Sequence, residues 1–253
     1  EAIYRPFGFR FIYEKNKMTV TADVLQRAET DENWQIHSDQ EVSGDIFCEE
    51  AKKEDLAELA CFAEKQLSKL AEVYTVHDIA YFEQRMQEVG CEGGSLILIR
   101  KEKEICGYFL ALKKDREAWE IVVEDAVQKK AFPAVLHWFG ASEEKCTFTA
   151  FPQIWEQYAQ SENVPAIMGR IVHLERFVCC LKIKKEQEWK IRLTDSLVPE
   201  NNGYFIIKTG IEGGNLIRVE NLSEKEKKMF CSMDIGQLTE ELFRLPVFLN
   251  EVV

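Results

Sequence analysis

The amino-acid sequence predicts an α+β protein in which helices and strands are mixed along the chain. Segments with apolar residues at helical spacing alternate with short apolar runs rich in β-branched residues. Of the 253 residues, 46% are hydrophobic and 30% are charged, which is the composition of an ordinary soluble globular protein. At about 150 residues per average domain, this length allows one large domain or two small ones.

The N-terminal segment, residues 3–13, predicts a turn and then a strand. Pro6 and Gly8 are turn formers, and aromatic residues dominate the rest of the segment. Residues 26–45 are polar and acidic, so they are predicted to form a linker or a long loop.

Two helices are predicted next. Residues 54–74 carry leucine and alanine at helical spacing. Thr75, with Asp78 three residues later, resembles a capping box and predicts the start of a second helix. The side chains expected to face inward from that helix are Ile79, Phe82, Met86 and Val89.

A hairpin and further alternating elements are predicted in the middle of the chain. Residues 95–100 and 105–112 are apolar runs joined by charged residues, which predicts a β-hairpin. Residues 119–123 should form a central strand, because Ile121, Val122 and Val123 are the consecutive β-branched residues of a strand buried on both faces. The remaining predictions are a helix at 132–139, a strand at 146–150 and a short helix starting at Pro152.

The last third of the chain predicts a strand, a helix, three strands and a final helix. Asp234, with Gln237 three residues later, should cap the final helix. Residues 210–214 are rich in glycine but lead into a strand, so they favour a hairpin turn over a phosphate-binding loop. The predicted elements are the strand 167–172, the helix 174–181 and the strands 189–193, 203–208 and 215–220.

The charge balance excludes one class of partner. Thirty-two lysines and arginines against 44 acidic residues give a net charge of −12. Affinity for nucleic acid depends mainly on lysine and arginine that neutralise phosphates, so a nucleic-acid partner is not expected. Such a charge is compatible with attracting cationic amines. The carboxylates Glu49, Glu50, Glu54 and Asp55 are expected on a solvated surface.

The cysteines and histidines predict neither disulfides nor metal sites. No CxxC pair occurs, and Cys179 and Cys180 are adjacent, which suits neither a disulfide framework nor a zinc knuckle. The eight cysteines mostly lie in apolar runs, so they are expected to be buried, reduced thiols of a cytoplasmic protein. The four histidines lack any metal-binding spacing: His37, His77, His137 and His173. No apolar stretch approaches the ~20 residues of a membrane span, and no basic-then-apolar leader is present.

One short motif carries a family resemblance. The segment Tyr4-Arg5-Pro6-Phe7-Gly8-Phe9 resembles a signature of GNAT-fold acetyltransferases, in which Tyr-x-x-Phe-Gly-Phe closes the first catalytic domain. The order of the later motifs is similar to that of the Eis-like (enhanced-intracellular-survival-like) N-acetyltransferases. Members of that family carry a complete GNAT domain, a degenerate second GNAT domain and a sterol-carrier-protein-like domain.

The resemblance implies a GNAT-like mixed sheet with helices, and after it a sterol-carrier-protein-like α+β domain. Residues 1–44 would be the tail of a truncated first GNAT domain plus a linker. Residues 45–163 would be the degenerate second GNAT-like domain, and residues 164–253 the sterol-carrier-protein-like domain. The landmarks matched in this last domain are Ile167-Met168-Gly169-Arg170-Ile171-Val172, Asn202-Gly203-Tyr204-Phe205, Met233-Asp234-Ile235 and Glu251-Val252-Val253.

The chain departs from the family at the acetyl-CoA loop. GNAT enzymes hold the pyrophosphate on a glycine-containing loop, Arg/Gln-x-x-Gly-x-Gly/Ala, at a helix N-terminus. At the corresponding place, residues 123–133 contain no glycine, and Glu124 and Asp125 would repel a phosphate. The working loop should belong to the first domain. Because the chain also opens at Glu1 without Met, it is expected to be the C-terminal portion of an acetyltransferase that does not bind acetyl-CoA by itself.

The resemblance also implies the catalytic residues. Acetyl transfer from acetyl-CoA to a primary amine needs an acid and a base, and Tyr4 matches the tyrosine that protonates the sulfur of coenzyme A. The C-terminus of family members threads back into the active site of the first domain, so the α-carboxylate of Val253 is the implied base. Implied substrates are aminoglycosides, lysine side chains or other cationic amines, and no metal is implied.

The alternative hypothesis is a non-catalytic scaffold that binds a lipid or holds an oligomer together. A ligand cavity in the last domain would favour lipid binding, whereas a filled core would favour a structural role. The family resemblance favours the filled core and a cytoplasmic homo-oligomer without membrane partners. The side chains that decide between cavity and core are Phe177, Phe205, Ile207 and Leu216.

Overall fold

The computed structural model describes residues 3–21, 23–24, 46–140, 145–183, 186–244 and 246–249. The chain divides into two compact units. The central unit contains the described residues within 15–69 and 75–164, and the C-terminal unit contains those within 3–14, 70–74 and 165–249. The predicted linker at 26–45 lies outside the described residues.

Helices and strands follow one another along the described residues. In chain order the strands and helices are β1 (Arg10–Val20), β2 (Ile46–Glu50), α1 (Leu56–Leu70), β3 (Val73–Tyr74), α2 (Ile79–Cys91), β4 (Ser95–Lys101), β5 (Glu104–Leu112), β6 (Glu117–Val123), α3 (Gln128–Trp138), β7 (Cys146–Thr149), β8 (Ser161–Gly169), α4 (Leu174–Cys180), β9 (Gln187–Thr194), β10 (Gly203–Gly210), β11 (Gly213–Val219), α5 (Glu224–Lys227), β12 (Cys231–Asp234), α6 (Ile235–Leu242) and β13 (Val247–Phe248). No helix among them is long and apolar enough to cross a membrane.

A seven-stranded mixed sheet has the order β2-β4-β5-β6-β7-β1-β8. The pairs β2–β4, β4–β5, β5–β6 and β7–β1 are antiparallel, whereas β6 and β7 run parallel, with Trp119 opposite Thr149. Strand β6 lies in the middle, and its residues Ile121, Val122 and Val123 are buried. The predicted hairpin and the predicted central strand are therefore confirmed.

Large aromatic side chains fill the core of the central unit beside α3. Phe132, Phe148 and Trp155 are fully buried, and the ring of Phe132 lies 5.0 Å from that of Trp155 and 6.1 Å from that of Phe148. Burial of each such side chain contributes roughly 1.5–3 kcal/mol to stability. The core therefore fastens α3, and the 3-10 turn that carries Trp155, to the sheet.

The C-terminal unit contains a four-stranded sheet of order β11-β10-β9-β12. Strands β9, β10 and β11 form an antiparallel meander, and β12 runs parallel to β9. Its core includes Val178 from α4, Leu238 from α6, and Phe205 and Ile207 from β10, all of them buried. The predicted turn at 210–214 is confirmed, because Gly210 pairs with Gly213 at the end of a hairpin.

The predicted start of α2 is wrong by three residues. Asp78, not Thr75, is the N-cap, and its carboxylate accepts a hydrogen bond from the N–H of Tyr81. Since the helix begins at Ile79, that side chain is exposed, while Phe82 and Val89 face inward as expected. The predicted capping box placed Asp78 at the third helical position. Its carboxylate instead caps the helix directly, so the helix begins one residue after Asp78.

The prediction of buried cysteines is wrong for most of them, and the prediction of solvated carboxylates is confirmed for Glu50 and Glu54 only. Only Cys106 and Cys146 are buried, whereas five of the eight cysteines are exposed: Cys61, Cys91, Cys179, Cys180 and Cys231. The carboxylates of Glu49 and Asp55 are not merely solvated, because they accept hydrogen bonds from the buried guanidinium of Arg100, at 2.5 and 2.7 Å. A buried arginine needs such partners, and the pairing becomes visible only when β2 lies beside β4.

Candidate functional site

Tyr4 stands at the start of a short turn in the C-terminal unit. Residues Arg5–Phe7 form one turn of 3-10 helix, in which the N–H of Phe7 donates to the carbonyl of Tyr4 at 3.0 Å. Gly8 ends the turn with φ +83°, a left-handed conformation that glycine adopts without steric cost. The predicted turn before β1 is therefore confirmed.

The phenol of Tyr4 is open to solvent. The residue is 55% exposed, and its ring lies 5.8 Å from the ring of Phe9. A tyrosine that is more than half exposed on a defined turn can be reached by a substrate. The geometry of Tyr4 is thus compatible with the predicted acid.

The C-terminal segment is anchored in the same unit. The carbonyl of Pro246 accepts hydrogen bonds from the N–H groups of Glu72 and Val73, at 2.8 and 3.2 Å. Strand β13 then runs parallel to β3, and the ring of Phe248 lies 6.5 Å from that of Tyr13 on β1. Val253, the predicted base, lies outside the described residues.

The junction between β6 and α3 is the expected position of a phosphate loop in the central unit. Residues Asp125–Val127 form a 3-10 turn, and the side chain of Val127 is buried. The side-chain amide of Gln128 donates to the carbonyl of Val123 at 3.3 Å and to the carboxylate of Asp125 at 2.8 Å. The indole N–H of the buried Trp155 donates to the carbonyl of Gln128 at 2.8 Å. The side chains of Gln128, Asp125 and Trp155 therefore make hydrogen bonds within the β6–α3 junction.

A buried polar cluster lies between α2 and the strands β5 and β6. Glu120, whose side chain is 8% exposed, accepts hydrogen bonds from the hydroxyl of Tyr81 at 2.6 Å and from Arg85 at 3.0 Å. Arg85 also donates to Glu88 at 2.6 Å. We refer to Tyr81, Arg85, Glu88 and Glu120 as the Glu120 cluster. It joins helix α2 to the centre of the sheet.

Glu120 occupies an unusual backbone position. Its φ is +53°, and the pairing of β5 with β6 shifts register between Tyr108 and Leu110, which marks a β-bulge. A left-handed conformation costs a residue with a side chain roughly 1–2 kcal/mol. Burial raises the pKa of Glu120, an effect that the charge of Arg85 and the hydrogen bond from Tyr81 oppose.

His77 extends the buried polar region next to the Glu120 cluster. Its ring stacks on Tyr81 with centroids 3.9 Å apart, and Nδ1 lies 2.7 Å from the hydroxyl of Tyr108. Burial and, after it, the charge of Arg85 lower the pKa of His77 to about 3, so the imidazole is neutral near pH 7. Burial likewise raises the pKa of Tyr81 and of Tyr108 above their ordinary range, which keeps both phenols protonated. The region therefore acts as a hydrogen-bonded anchor for α2.

The sequence predictions missed this anchor. One signal was available, because Glu120 stands between Trp119 and Ile121 inside a predicted central strand. Carboxylates are almost never fully buried without a partner, so such a position indicates a buried ion pair. The partner, Arg85, cannot be found from local spacing, since it lies 35 residues earlier. Among the described residues, no group of three or more histidine, cysteine or acidic side chains could hold a metal ion.

Comparison with solved structures decides the fold. A probable N-acyltransferase of Enterococcus faecalis V583 matches 94% of this chain with a TM-score of 0.64 and 14% identity. GCN5-related N-acetyltransferases of Kribbella flavida and Anabaena variabilis ATCC 29413 match 87% and 96% of it, with TM-scores of 0.60 and 0.57 and 13% identity each. The chain has the fold of the GCN5-related N-acetyltransferases. No family model and no curated protein sequence matches it.

The chain spans only part of these GNAT relatives. It covers 59%, 54% and 60% of the Enterococcus, Kribbella and Anabaena proteins, respectively. The mixed α+β fold predicted from the sequence is confirmed by these matches. At 13–14% identity they show the fold alone, and they do not show which residues act in this chain.

The β6–α3 junction of this GNAT fold does not fit acetyl-CoA. A phosphate cradle needs open backbone N–H groups and a glycine that lets the anion approach. Here Gln128 folds back onto the junction, Val127 is buried, and the acidic side chains of Glu124 and Asp125 stand beside them. The junction therefore lacks the glycine of a phosphate loop, and two carboxylates precede Lys129 and Lys130 at its helix start.

We therefore predict that the 253-residue chain does not bind acetyl-CoA at micromolar concentrations. Isothermal titration calorimetry of the chain with acetyl-CoA measures this directly. Desulfo-coenzyme A is a useful second titrant, because it keeps the pyrophosphate but lacks the thioester. Micromolar affinity for either molecule would contradict the absence of a phosphate loop at the β6–α3 junction.

Proposed function

We propose that this chain is the C-terminal portion of an acetyl-CoA-dependent N-acetyltransferase that acts on primary amines. The GNAT fold of the chain supports the reaction class. The observation that carries the proposal is the turn at Tyr4, which presents an exposed phenol within the Tyr-x-x-Phe-Gly-Phe segment. The central unit would then be a GNAT-like domain without a cofactor site, and acetyl-CoA would bind to sequence that precedes Tyr4.

Two groups of this chain would move protons in the reaction. Acetyl-CoA supplies the acetyl group as a thioester. The α-carboxylate of Val253 would take a proton from the incoming ammonium, so that the neutral amine can form the new C–N bond. As the C–S bond breaks, the phenol of Tyr4 would donate its proton to the departing sulfur. The nitrogen would then lose its second proton, through water, to the phenolate of Tyr4, so that the products are an amide and free coenzyme A.

The anchored C-terminal segment supports the role of Val253. Phe248 lies beside Tyr13, and five residues separate Phe248 from the C-terminus. At most about 3.5 Å of reach per residue places the terminal carboxylate within roughly 17 Å of Phe248. The preceding residues Pro246–Phe248 are held by backbone hydrogen bonds.

The charge of the chain suits a cationic substrate. A net charge of −12 attracts amines such as aminoglycosides or lysine side chains, and it raises their rate of encounter at low salt. The charge does not distinguish among these amines. Assays should therefore begin with a panel that contains an aminoglycoside, a polyamine and a lysine peptide.

The test uses the longer protein that contains this chain and the preceding catalytic domain. Tyr4→Phe should lower kcat by about 10²–10⁴-fold, the usual contribution of general acid–base catalysis. Extension of the chain by two alanines after Val253 should lower kcat similarly, because it moves the carboxylate and keeps most of the packing. Steady-state kinetics with acetyl-CoA and the best amine of the panel measure both effects.

A matched control is Tyr204→Phe, which removes a phenol oxygen from β10 of the same unit. The ring of Tyr204 packs against Phe230 at 5.3 Å, and this contact survives the change. Its kcat should equal that of the parent protein. Unchanged turnover in both the Tyr4→Phe and the extended proteins would refute the proposed roles.

Of the two forms of the alternative hypothesis, the core of the C-terminal unit supports a structural role rather than lipid binding. Phe205 and Ile207 are buried there, and Phe177 and Leu216 pack against the same cluster. Phe205 and Ile207 thus belong to a packed core, and Phe177 and Leu216 cover it. Phe205 and Leu216 also line a surface cleft of about 480 Å³, together with the apolar residues Val172, Leu174 and Val198. The charged side chains of Glu175, Glu200 and Arg218 line the same cleft and are unfavourable for a lipid tail.

A further inference from the structure

Arg10 ties together the two ends of the Tyr4 turn. Its side chain is 15% exposed, and Nη1 donates to the carbonyl of Arg5 at 3.2 Å and to the carbonyl of Phe9 at 2.9 Å. The carbonyl of Arg5 also accepts the N–H of Gly8 at 3.1 Å. The guanidinium therefore bridges the first residue of the 3-10 turn and the residue that leads into β1.

The same guanidinium lies against the start of helix α6. A Cβ atom at Gly236, the second residue of α6, would come within 2.5 Å of Cζ and 2.7 Å of both Nη atoms of Arg10. Asp234 and Glu240 flank the guanidinium, each with an oxygen 3.8 Å away. The guanidinium of Arg10 can lie this close to α6 only because residue 236 is a glycine and has no Cβ.

Helix electrostatics do not explain why a cation lies here. The N-terminus of a helix carries a partial positive charge, so a nearby guanidinium is disfavoured by it. The flanking carboxylates are at least half exposed, and such pairs contribute only about 0–1 kcal/mol each. What distinguishes the position is its pair of hydrogen bonds to the Tyr4 turn.

Gly8 brings the turn into close contact with Ile235 and Arg170. A Cβ at Gly8 would lie 2.9 Å from Cγ2 of Ile235 and 3.1 Å from Nε of Arg170. Arg170 is itself fixed, because it donates to the buried carboxylate of Asp195 at 2.6 Å. Arg10 and Gly8 therefore hold the turn against the first residues of α6 from two sides.

We infer that Arg10 is a positioning residue, which orients Tyr4 by clamping its turn over Gly236 at the start of α6. The inference rests on the proposed role of Tyr4 as general acid. The side chain of Tyr4 is more than half exposed, so the direction of its phenol depends on the backbone of the turn. A misplacement of about 1 Å at a reacting group can cost 10²-fold in rate. One task of the C-terminal unit is then to supply the surface on which the acid is oriented.

The test is Gly236→Ala, which displaces the guanidinium without changing any charge or Tyr4 itself. Alanine has a higher helix propensity than glycine, so the substitution does not itself disfavour α6. Gly90→Ala in α2 is the matched control, because a Cβ there meets nothing within 4 Å. Thermal melting of both variants verifies that they are folded.

The first readout uses the 253-residue chain and does not involve activity. Backbone ¹⁵N relaxation of residues 4, 5 and 7–9 should give order parameters near 0.85 in the parent and in Gly90→Ala, and below about 0.6 in Gly236→Ala. Unchanged order parameters in Gly236→Ala would overturn the inference. This result is independent of whether Tyr4 is the acid.

The second readout uses the longer acetyltransferase. Gly236→Ala should lower kcat by about 10²-fold and leave the KM for acetyl-CoA unchanged, whereas Gly90→Ala should alter neither. An unchanged kcat in Gly236→Ala, together with a large loss in Tyr4→Phe, would refute the positioning role alone. An unchanged kcat in Tyr4→Phe would instead refute the proposed role of Tyr4 as general acid.

Discussion

Replacement of Glu120 by alanine should lower the free energy of unfolding of the central unit by about 3–5 kcal/mol, the usual cost of removing one partner from a buried ion pair. Glu120 accepts hydrogen bonds from Tyr81 and Arg85, and its side chain is 8% exposed. Without it, the guanidinium of Arg85 loses its most buried acceptor and still meets Glu88 at the edge of the cluster. Alanine and glutamate both carry a Cβ, so the strain of the left-handed backbone is the same in both proteins.

Native-state amide hydrogen exchange in β5 and β6 measures this loss for the central unit by itself. Glu88→Ala is the control, because Glu88 is more exposed and contacts Arg85 from the rim of the cluster. It should cost less than about 1 kcal/mol. The double variant Arg85→Met with Glu120→Leu should recover much of the loss, since apolar side chains can replace a buried pair. Equal effects of Glu120→Ala and Glu88→Ala would contradict the central role of Glu120.

Replacement of Asp195 by alanine should destabilise the C-terminal unit by a similar 3–5 kcal/mol, roughly the cost of leaving a buried arginine without its partner. The side chain of Asp195 is 1% exposed and accepts hydrogen bonds from Arg170 at 2.6 Å and from the side chain of Asn201 at 2.8 Å. The N–H groups of Leu197 and Val198 donate to the same carboxylate. The substitution would leave four donors without this acceptor, and it would also release the arginine that supports Gly8.

Asp195 should also make the stability of this unit depend on pH. Burial alone would raise its pKa, but the hydrogen bonds from Asn201, Leu197 and Val198, with the charge of Arg170, hold the pKa of this carboxyl below its ordinary value. The stabilisation is therefore present above the unfolded pKa of about 3.9 and is lost as the pH falls through the lower folded value.

Hydrogen exchange in β9 and β10, together with urea unfolding between about pH 3 and pH 7, measures both effects. The acid-induced loss of stability should be smaller in Asp195→Ala than in the parent. Glu212→Ala, at an exposed hairpin turn of the same unit, should change stability by no more than about 0.5 kcal/mol. Parallel pH profiles of the parent and Asp195→Ala would show that this carboxylate does not determine the acid response.

Local patterns explain the predictions that are confirmed. The hairpin β4–β5 results from two apolar runs around a charged turn, and the cap of α6 results from Asp234 and Gln237, whose reciprocal hydrogen bonds are both 2.8 Å long. The central position of β6 reflects three consecutive β-branched residues. In each case the residues that decide the structure are close together in the chain, so periodicity and capping chemistry are sufficient.

By itself, the sequence determined the α+β class, the order of most elements and the absence of a glycine loop at residues 123–133, because these depend on residue type and short spacing. Only the tertiary structure decided that Glu120 meets Arg85 and that Arg10 lies over Gly236. These contacts join residues far apart in the chain, and their energies depend on burial and on distances of a few ångströms. Which polar side chain becomes buried with which partner is a property of the packed fold, since the cost of desolvation arises only when the elements come together.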